Sequence, residues 1–375
     1  MIPYIVAFFI SIVTALIGEK MLKKNKIGGI IVLIISVLPI VILGGLRTVD
    51  MGWDTQLYAV PVFEDVKRMD LSQLSKYINI RGMEPGFIAL IYILAKIYSN
   101  INFVLFGLIS IISYSVLYYA YENKEKSSIV FALFLYEMVL YPITYSTLRQ
   151  CTALALIFVA CIKFMDKKYF KAIILVVLSN YFHSSSYMAV LLFLIIFIND
   201  SKSIPEKGKK WMYVISLLIT GISVVCYESV MKYLWSIGIL NDKYISYLGS
   251  KFQSETVSVR WPLLLYKLFN IFIGTLYFRS KAISLKEKED NKKWYILLLF
   301  DFVITIFSLK IINAHRSTYY VLFPALFIFM PQTIKIFKDN KTNRFLAYFI
   351  IGIIYAIYFI TSLKYYDMYP YRWIV

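Results

Sequence analysis

Residues 27–46 read Ile27-Gly-Gly-Ile-Ile-Val-Leu-Ile-Ile-Ser-Val-Leu-Pro-Ile-Val-Ile-Leu-Gly-Gly-Leu46, an apolar run with lysines before it and Arg47 after it. A helix of about 20 residues crosses the roughly 30 Å hydrocarbon core of a bilayer, so this stretch reads as a transmembrane span. Similar runs lie on either side of it, at 2–18, 102–121, 128–143, 147–165, 169–182, 185–199, 211–227, 262–279, 294–312, 318–335 and 345–363. The chain of 375 residues is 60% hydrophobic and 17% charged, against roughly 45–50% and 25% in a soluble domain. That composition excludes a soluble enzyme, a secreted disulfide scaffold and a disordered chain. The long continuous runs argue against a transmembrane β-barrel, whose strands alternate. The expected fold class is an all-α polytopic integral membrane protein, with about 12 transmembrane helices in one domain over residues 1–375. Its first run, Ile2–Gly18, lacks the basic start and cleavage site of a signal peptide and reads as a retained span.

The net charge of +18 is carried by lysines clustered between the apolar runs. This is the positive-inside pattern of membrane topology rather than a nucleic-acid surface. With the loop at 19–26 in the cytoplasm and the twelve spans alternating, the inside loops are 19–26, 122–127, 163–171, 200–210, 279–293 and 335–344. They hold 24 basic residues, the outside segments hold 13 and three more lie in apolar runs. Both chain ends then fall outside, as do the two long loops 47–85 and 228–260. The arrangement requires that Gly86–Tyr98, a short apolar stretch, does not cross. It reads as a re-entrant segment, tolerated where it lines a cavity. Single-cysteine labelling with an impermeant reagent, in a Cys-free background, should mark positions in 47–85 and spare those in 200–210. The reverse result overturns this topology.

Lysine and arginine are distributed differently. The inside loops hold 22 Lys and 2 Arg, whereas the outside holds 6 Lys and 7 Arg: Arg47, Arg68, Arg81, Arg149, Arg260, Arg316 and Arg372. Topology needs only positive charge, but a guanidinium also offers a rigid fork that matches phosphate or carboxylate bidentately. The outer face therefore reads as a site for an anion, or as a set of arginines paired with the ten outer acids.

Several outer residues can carry chemistry. In Arg47-Thr-Val-Asp50-Met-Gly-Trp-Asp54-Thr-Gln-Leu-Tyr58, helical spacing would put Arg47, Asp50, Asp54 and Tyr58 on one face, although Gly52 weakens a helix there. Arg81-Gly-Met-Glu84-Pro85-Gly86-Phe87 sets an acid at the membrane boundary, where Pro and Gly break the backbone. Arg149 opens a span, against the helix dipole, and calls for an anionic ligand or a nearby carboxylate. The two histidines, His183 and His315, both map to outer span ends, the second beside Arg316. Glu137 and Asp301 fall within spans and either pair with lysines such as Lys267 or Lys310 or mark a polar cavity. Cys151, Cys161 and Cys226 lie in apolar runs without metal spacing and read as packing residues. No ligand cluster calls for a metal, and there is no P-loop.

Taken in order, Arg47…Asp50…Asp54…Tyr58, Glu84-Pro85-Gly86-Phe87, Arg149-Gln150…Leu154-Ala155 and Phe182-His183-Ser184-Ser185 resemble the EpsG-like branch of the Wzy polysaccharide polymerases. These motifs span residues 47–186, and the hydropathy profile extends the likeness beyond them. The resemblance implies a glycosyltransferase of the bacterial cytoplasmic (inner) membrane. It would join polyprenyl-diphosphate-linked oligosaccharide repeat units on the extracytoplasmic side, making O-antigen, capsule or exopolysaccharide. No cofactor is implied. The implied partners are the lipid-linked oligosaccharide and the bilayer, with room for a chain-length regulator and a flippase, and no nucleic acid. The expected proton acceptor is His183, then Asp54, Glu84 and Asp50. Substrate-binding candidates are Arg47, Arg81, Arg149, Arg316, Tyr58 and His315. A lipid-linked glycan ligase and a transporter or flippase of the same lipid remain the rival readings.

Overall fold

A computed structural model of the chain describes residues 1–238, 261–307, 314–337 and 341–374. Most of the expected outer loop 228–260, with Arg260, lies outside the described residues, as does Lys310. All regular structure among the described residues is helical, apart from an isolated antiparallel bridge between Arg47 and Trp373. Among the described residues, eight helices are long and apolar enough to cross a membrane. The other four expected spans also fall on helices, two of them short (Tyr169–Asn180 and Ser184–Asp200) and two (Glu206–Val225 and Leu285–Phe307) carrying charged first turns. The all-α polytopic fold is thus as the hydropathy pattern predicts.

The described residues form two compact units, Met1–Tyr187 with Phe327–Val375, and Met188–Leu326. In the first unit, α1 (Ile2–Met21) and α2 (Lys26–Gly45) form a hairpin, with Asn25 capping α2 through Gly28 N–H at 2.9 Å. Beyond Leu46 the chain leaves the helix and winds to a π-helical turn, Thr55–Ala59, that runs into α3 (Val60–Val66). Then comes α4 (Leu71–Arg81), started by an Asp70/Gln73 capping box and stopped by Gly82 in the left-handed region. Pro85 at the first helical position starts α5 (Pro85–Ile97), where its missing N–H costs nothing. Thirteen residues reach about 20 Å at 1.5 Å per residue, short of the roughly 30 Å core. That length fits a half-membrane helix.

Helix α6 (Ile101–Glu122) returns, and α7 (Ile129–Leu135), a second π turn (Tyr136–Leu140) and α8 (Tyr141–Ser146) make one continuous span. Pro142 removes a backbone donor inside that span, and the π turn lies just before it. Helices α9 (Leu148–Met165) and α10 (Tyr169–Asn180) form an antiparallel hairpin. The start of α9 and the end of α10 therefore share one end of the unit, opposite the lysine-rich turn at 163–171. Large apolar side chains on α1 such as Ile2, Ile5, Phe9, Leu16 and Ile17 are exposed, as suits a helix facing lipid. Helix α9, by contrast, buries most of its length.

The second unit contains α11 (Ala189–Asp200), α12 (Glu206–Val225), α13 (Tyr227–Ser236), α14 (Trp261–Arg279), α15 (Leu285–Phe307) and the first half of α16 (Tyr319–Thr333). Inside it, Lys267 Nζ of α14 donates to Asp301 Oδ1 (2.6 Å) and Thr305 Oγ1 (2.7 Å) of α15. That resolves the pairing left open for Asp301. Removing one member of such a buried pair typically costs about 3–5 kcal/mol, so Lys267 and Asp301 act as a structural lock between two apolar helices. Glu137 in the first unit is fully buried and makes no ion pair among the described residues.

Chain closure in the first unit falls to α17 (Lys341–Tyr365) and the tail beyond it. Thr48 N–H donates to Arg372 O (3.0 Å) and Ile374 N–H to Leu46 O (3.1 Å), so the tail lies against the segment that follows α2.

Candidate functional site

Arg149, the second residue of α9, is the centre of the site. Its guanidinium donates from Nη1 to Glu84 Oε2 at 2.9 Å and approaches Asp54 Oδ2 with Nε at 3.7 Å. Its carbon Cζ lies 3.7 Å from the centroid of the Tyr58 ring. Its backbone N–H, at the start of α9, donates to the same Asp54 oxygen at 3.3 Å. All three charged side chains are about nine-tenths buried, at 10–11% side-chain exposure. An ion pair shielded to that degree is weakened far less by solvent and salt than one on the surface. The cation that the helix dipole disfavours is therefore stabilised by two carboxylates, and Asp54 also satisfies a free N–H at the helix start. One guanidinium and two carboxylates leave one net negative charge.

Three local features place these groups. Gly52 has φ +89°, and a Cβ there would lie 2.1 Å from Tyr145 O, so only glycine fits. That conformation breaks the helix that the spacing of residues 47–58 suggests. The predicted common face of Arg47, Asp50, Asp54 and Tyr58 does not form. Only Asp54 and Tyr58, four residues apart across the π turn, meet the same partner. Gly86 N–H donates to Tyr181 O at 2.7 Å, and a Cβ at Gly86 would lie 2.8 Å from that oxygen. This contact ties Glu84-Pro85-Gly86 to Tyr181-Phe182-His183, and so brings His183 to the same end of the unit as Glu84.

His183 is half-buried just past the end of α10. Its Nδ1 accepts from the Ser185 backbone N–H at 3.3 Å and lies 2.7 Å from Ser185 Oγ. An Nδ1 that accepts from an amide puts the proton of the neutral ring on Nε2.

The other candidates of the first unit, Arg47, Asp50 and Arg81, make different contacts. Arg47 is completely buried, stacks on Tyr145 with Cζ 3.9 Å from the ring centroid, and donates from Nη2 to Thr55 Oγ1 at 2.8 Å. It supports the residue after Asp54 from inside the protein. Asp50 is exposed and pairs with Arg372 at 3.0 Å. Arg81 is exposed in the last turn of α4. His315 and Arg316 belong to the second unit, in the 3-10 turn Ala314–Thr318, where His315 is buried and its carbonyl accepts from Thr318 Oγ1 at 2.7 Å. No group of three or more His, Cys, Asp or Glu residues could hold a metal among the described residues. Sequence reasoning missed Gln56, Ser146 and Asp367, which hold the Asp54 segment. They carry no motif, and nothing in their spacing could have found them.

The EpsG family matches residues 30–373 of this chain. The amylovoran biosynthesis protein AmsC of Erwinia amylovora is 26% identical over 310 residues, covering 80% of this chain and 77% of its own. No solved structure matches the chain. The family match runs through every motif between residues 47 and 186 and on to the tail that holds the Asp54 segment, so this multi-pass membrane protein belongs to the EpsG family.

Proposed function

We propose that the protein is a polysaccharide polymerase. In this reading it is a glycosyltransferase of the bacterial cytoplasmic membrane that joins polyprenyl-diphosphate-linked oligosaccharide repeat units on the extracytoplasmic face. The observation that carries the reading is the Asp54–Arg149–Glu84 cluster. It brings two carboxylates onto one guanidinium, at the end of α9 opposite the lysine-rich turn. Membership of the EpsG family and the likeness to an amylovoran biosynthesis protein support the chemistry of polysaccharide assembly.

The reaction is a direct displacement. A sugar hydroxyl of the acceptor unit attacks the anomeric carbon of the donor chain. The bond from that carbon to the diphosphate oxygen breaks, and its electron pair leaves with the polyprenyl diphosphate. The hydroxyl proton passes to a carboxylate of the cluster. The guanidinium lies 2.9 Å from Glu84 Oε2 and 3.7 Å from Asp54 Oδ2, which also accepts from the Arg149 amide at 3.3 Å. Of the two we assign the proton to Asp54, the carboxylate farther from the guanidinium. His183, whose neutral ring carries its proton on Nε2, donates a hydrogen bond to a sugar or phosphate oxygen. Arg149 already has two carboxylates, so the diphosphate falls to another cation. Arg81, exposed and three residues before Glu84 in the chain, is the candidate that the geometry leaves open to solvent.

Deleting the gene and analysing the cell's glycans tests this. A polymerase deletion should lose long chains and keep single repeat units. Intact chains that fail only to reach their final acceptor would indicate a ligase, and loss of repeat units from the outer face would indicate a flippase. Either result overturns the proposal.

A further inference from the structure

We infer, resting on the site proposed above, that Asp367 is a positioning residue for Asp54, acting from the tail beyond the last helix. Asp367 Oδ2 accepts two hydrogen bonds from the Asp54 segment, from Gly52 N–H at 3.1 Å and from Gln56 Nε2 at 3.1 Å. Those residues stand two before and two after Asp54. The same Gln56 amide donates to Asp50 O at 2.6 Å, which closes the loop between them. The neighbouring Tyr366 adds a third hold. Ser146 Oγ donates to Tyr366 O at 3.1 Å and accepts from Trp53 N–H at 3.4 Å. Ser146 lies three residues before Arg149, so the tail also holds the segment that leads into α9. Asp367 pairs with no cation among the described residues. Its charge therefore acts on two neutral donors that flank Asp54 and are themselves joined by the Gln56 N–H to Gly52 O bond at 3.2 Å. Asp367 also sits at φ +55°, a left-handed conformation that Asp tolerates and that turns the carboxylate out of the helix end.

A carboxylate 315 residues from Gly52 in sequence thus holds the backbone before the proposed proton acceptor and the Gln56 side chain after it. The consequence is a turnover effect without a binding effect. Removing the hold lets Asp54 drift from the attacking hydroxyl, and a displacement of about 1 Å is worth roughly 10²-fold in rate.

The test is the initial rate of polymerisation by purified protein in lipid, measured against the concentration of lipid-linked repeat unit. Asp367→Ala should lower kcat by about 10²-fold and leave KM unchanged. Asp367→Asn keeps an oxygen acceptor at the same reach and should recover most of that loss. Gln56→Ala should lower kcat by less, and adding it to Asp367→Ala should cost less than Gln56→Ala costs alone, as coupled partners require. If Asp367→Ala does not accumulate, the Asn variant and Gln56→Ala carry the test. An unchanged kcat in Asp367→Ala, a rise in KM in place of the fall in kcat, or additive losses in the double variant each overturn the inference. Asp54→Asn run alongside separates the two readings. If it abolishes turnover while Asp367→Ala is silent, only the positioning role fails. If Asp54→Asn is itself silent, the proposed site fails.

Discussion

Arg149→Ala should yield no long-chain polymer and a protein that accumulates poorly, the largest effect expected of any single substitution here. It removes the guanidinium from between Asp54 and Glu84, each about one-tenth exposed. Breaking a buried pair by removing one partner typically costs about 3–5 kcal/mol, because the remaining charge is stranded. The informative variant is Arg149→Lys. An ammonium keeps the charge, but a single point cannot meet Glu84 at 2.9 Å, reach Asp54 and lie flat on Tyr58 at once. Near-normal protein with polymerisation lowered by about 10²-fold is expected. Tyr58→Phe, which keeps the aromatic face, should be close to silent, and Tyr58→Ala should not. Normal polymer from a well-expressed Arg149→Lys protein would show that the fork geometry is irrelevant, and with it the three-way clamp.

The second large effect separates Asp54 from His183. Loss of a general base typically costs about 10²–10⁴-fold, so Asp54→Asn should abolish long chains while the protein remains folded in the membrane. Asparagine fills the same space and can still accept from the Arg149 amide, so loss of protein is not the expected route. For His183, the sequence favours the base role because an imidazole titrates near neutrality without tuning. The Ser185 amide bond to Nδ1 favours donation from Nε2 instead. Glutamine places an N–H close to where Nε2 stands but cannot act as a base. His183→Gln should therefore retain polymerisation within about tenfold, the equivalent of a weakened hydrogen bond, whereas His183→Ala should lose more. If His183→Gln makes no long chains while Asp54→Asn makes normal ones, the proton acceptor is His183 and the assignment above is reversed.

The sequence by itself determined that this is a helical membrane protein and where its helices run. Hydropathy is a local property, and the bilayer sets a fixed length scale, so a run such as 27–46 declares itself without reference to the rest of the chain. It also singled out Arg149 and Glu84, because a charge at a span boundary is costly enough to call for a reason, and Asp54 and Tyr58 by their helical spacing. What it could not decide was who meets whom. Arg149 finds its carboxylates 95 and 65 residues away, and nothing in the spacing of those residues encodes the distance. Helical periodicity grouped Asp50 and Arg47 with Asp54, but a glycine that needs φ +89° overrode that periodicity and sent one outward to Arg372 and the other into the interior. The grip of Asp367 on the Asp54 segment lay further still from the sequence signal. It depends on the last helix delivering the tail to the start of the chain, and only the packing of the helices between them decides that.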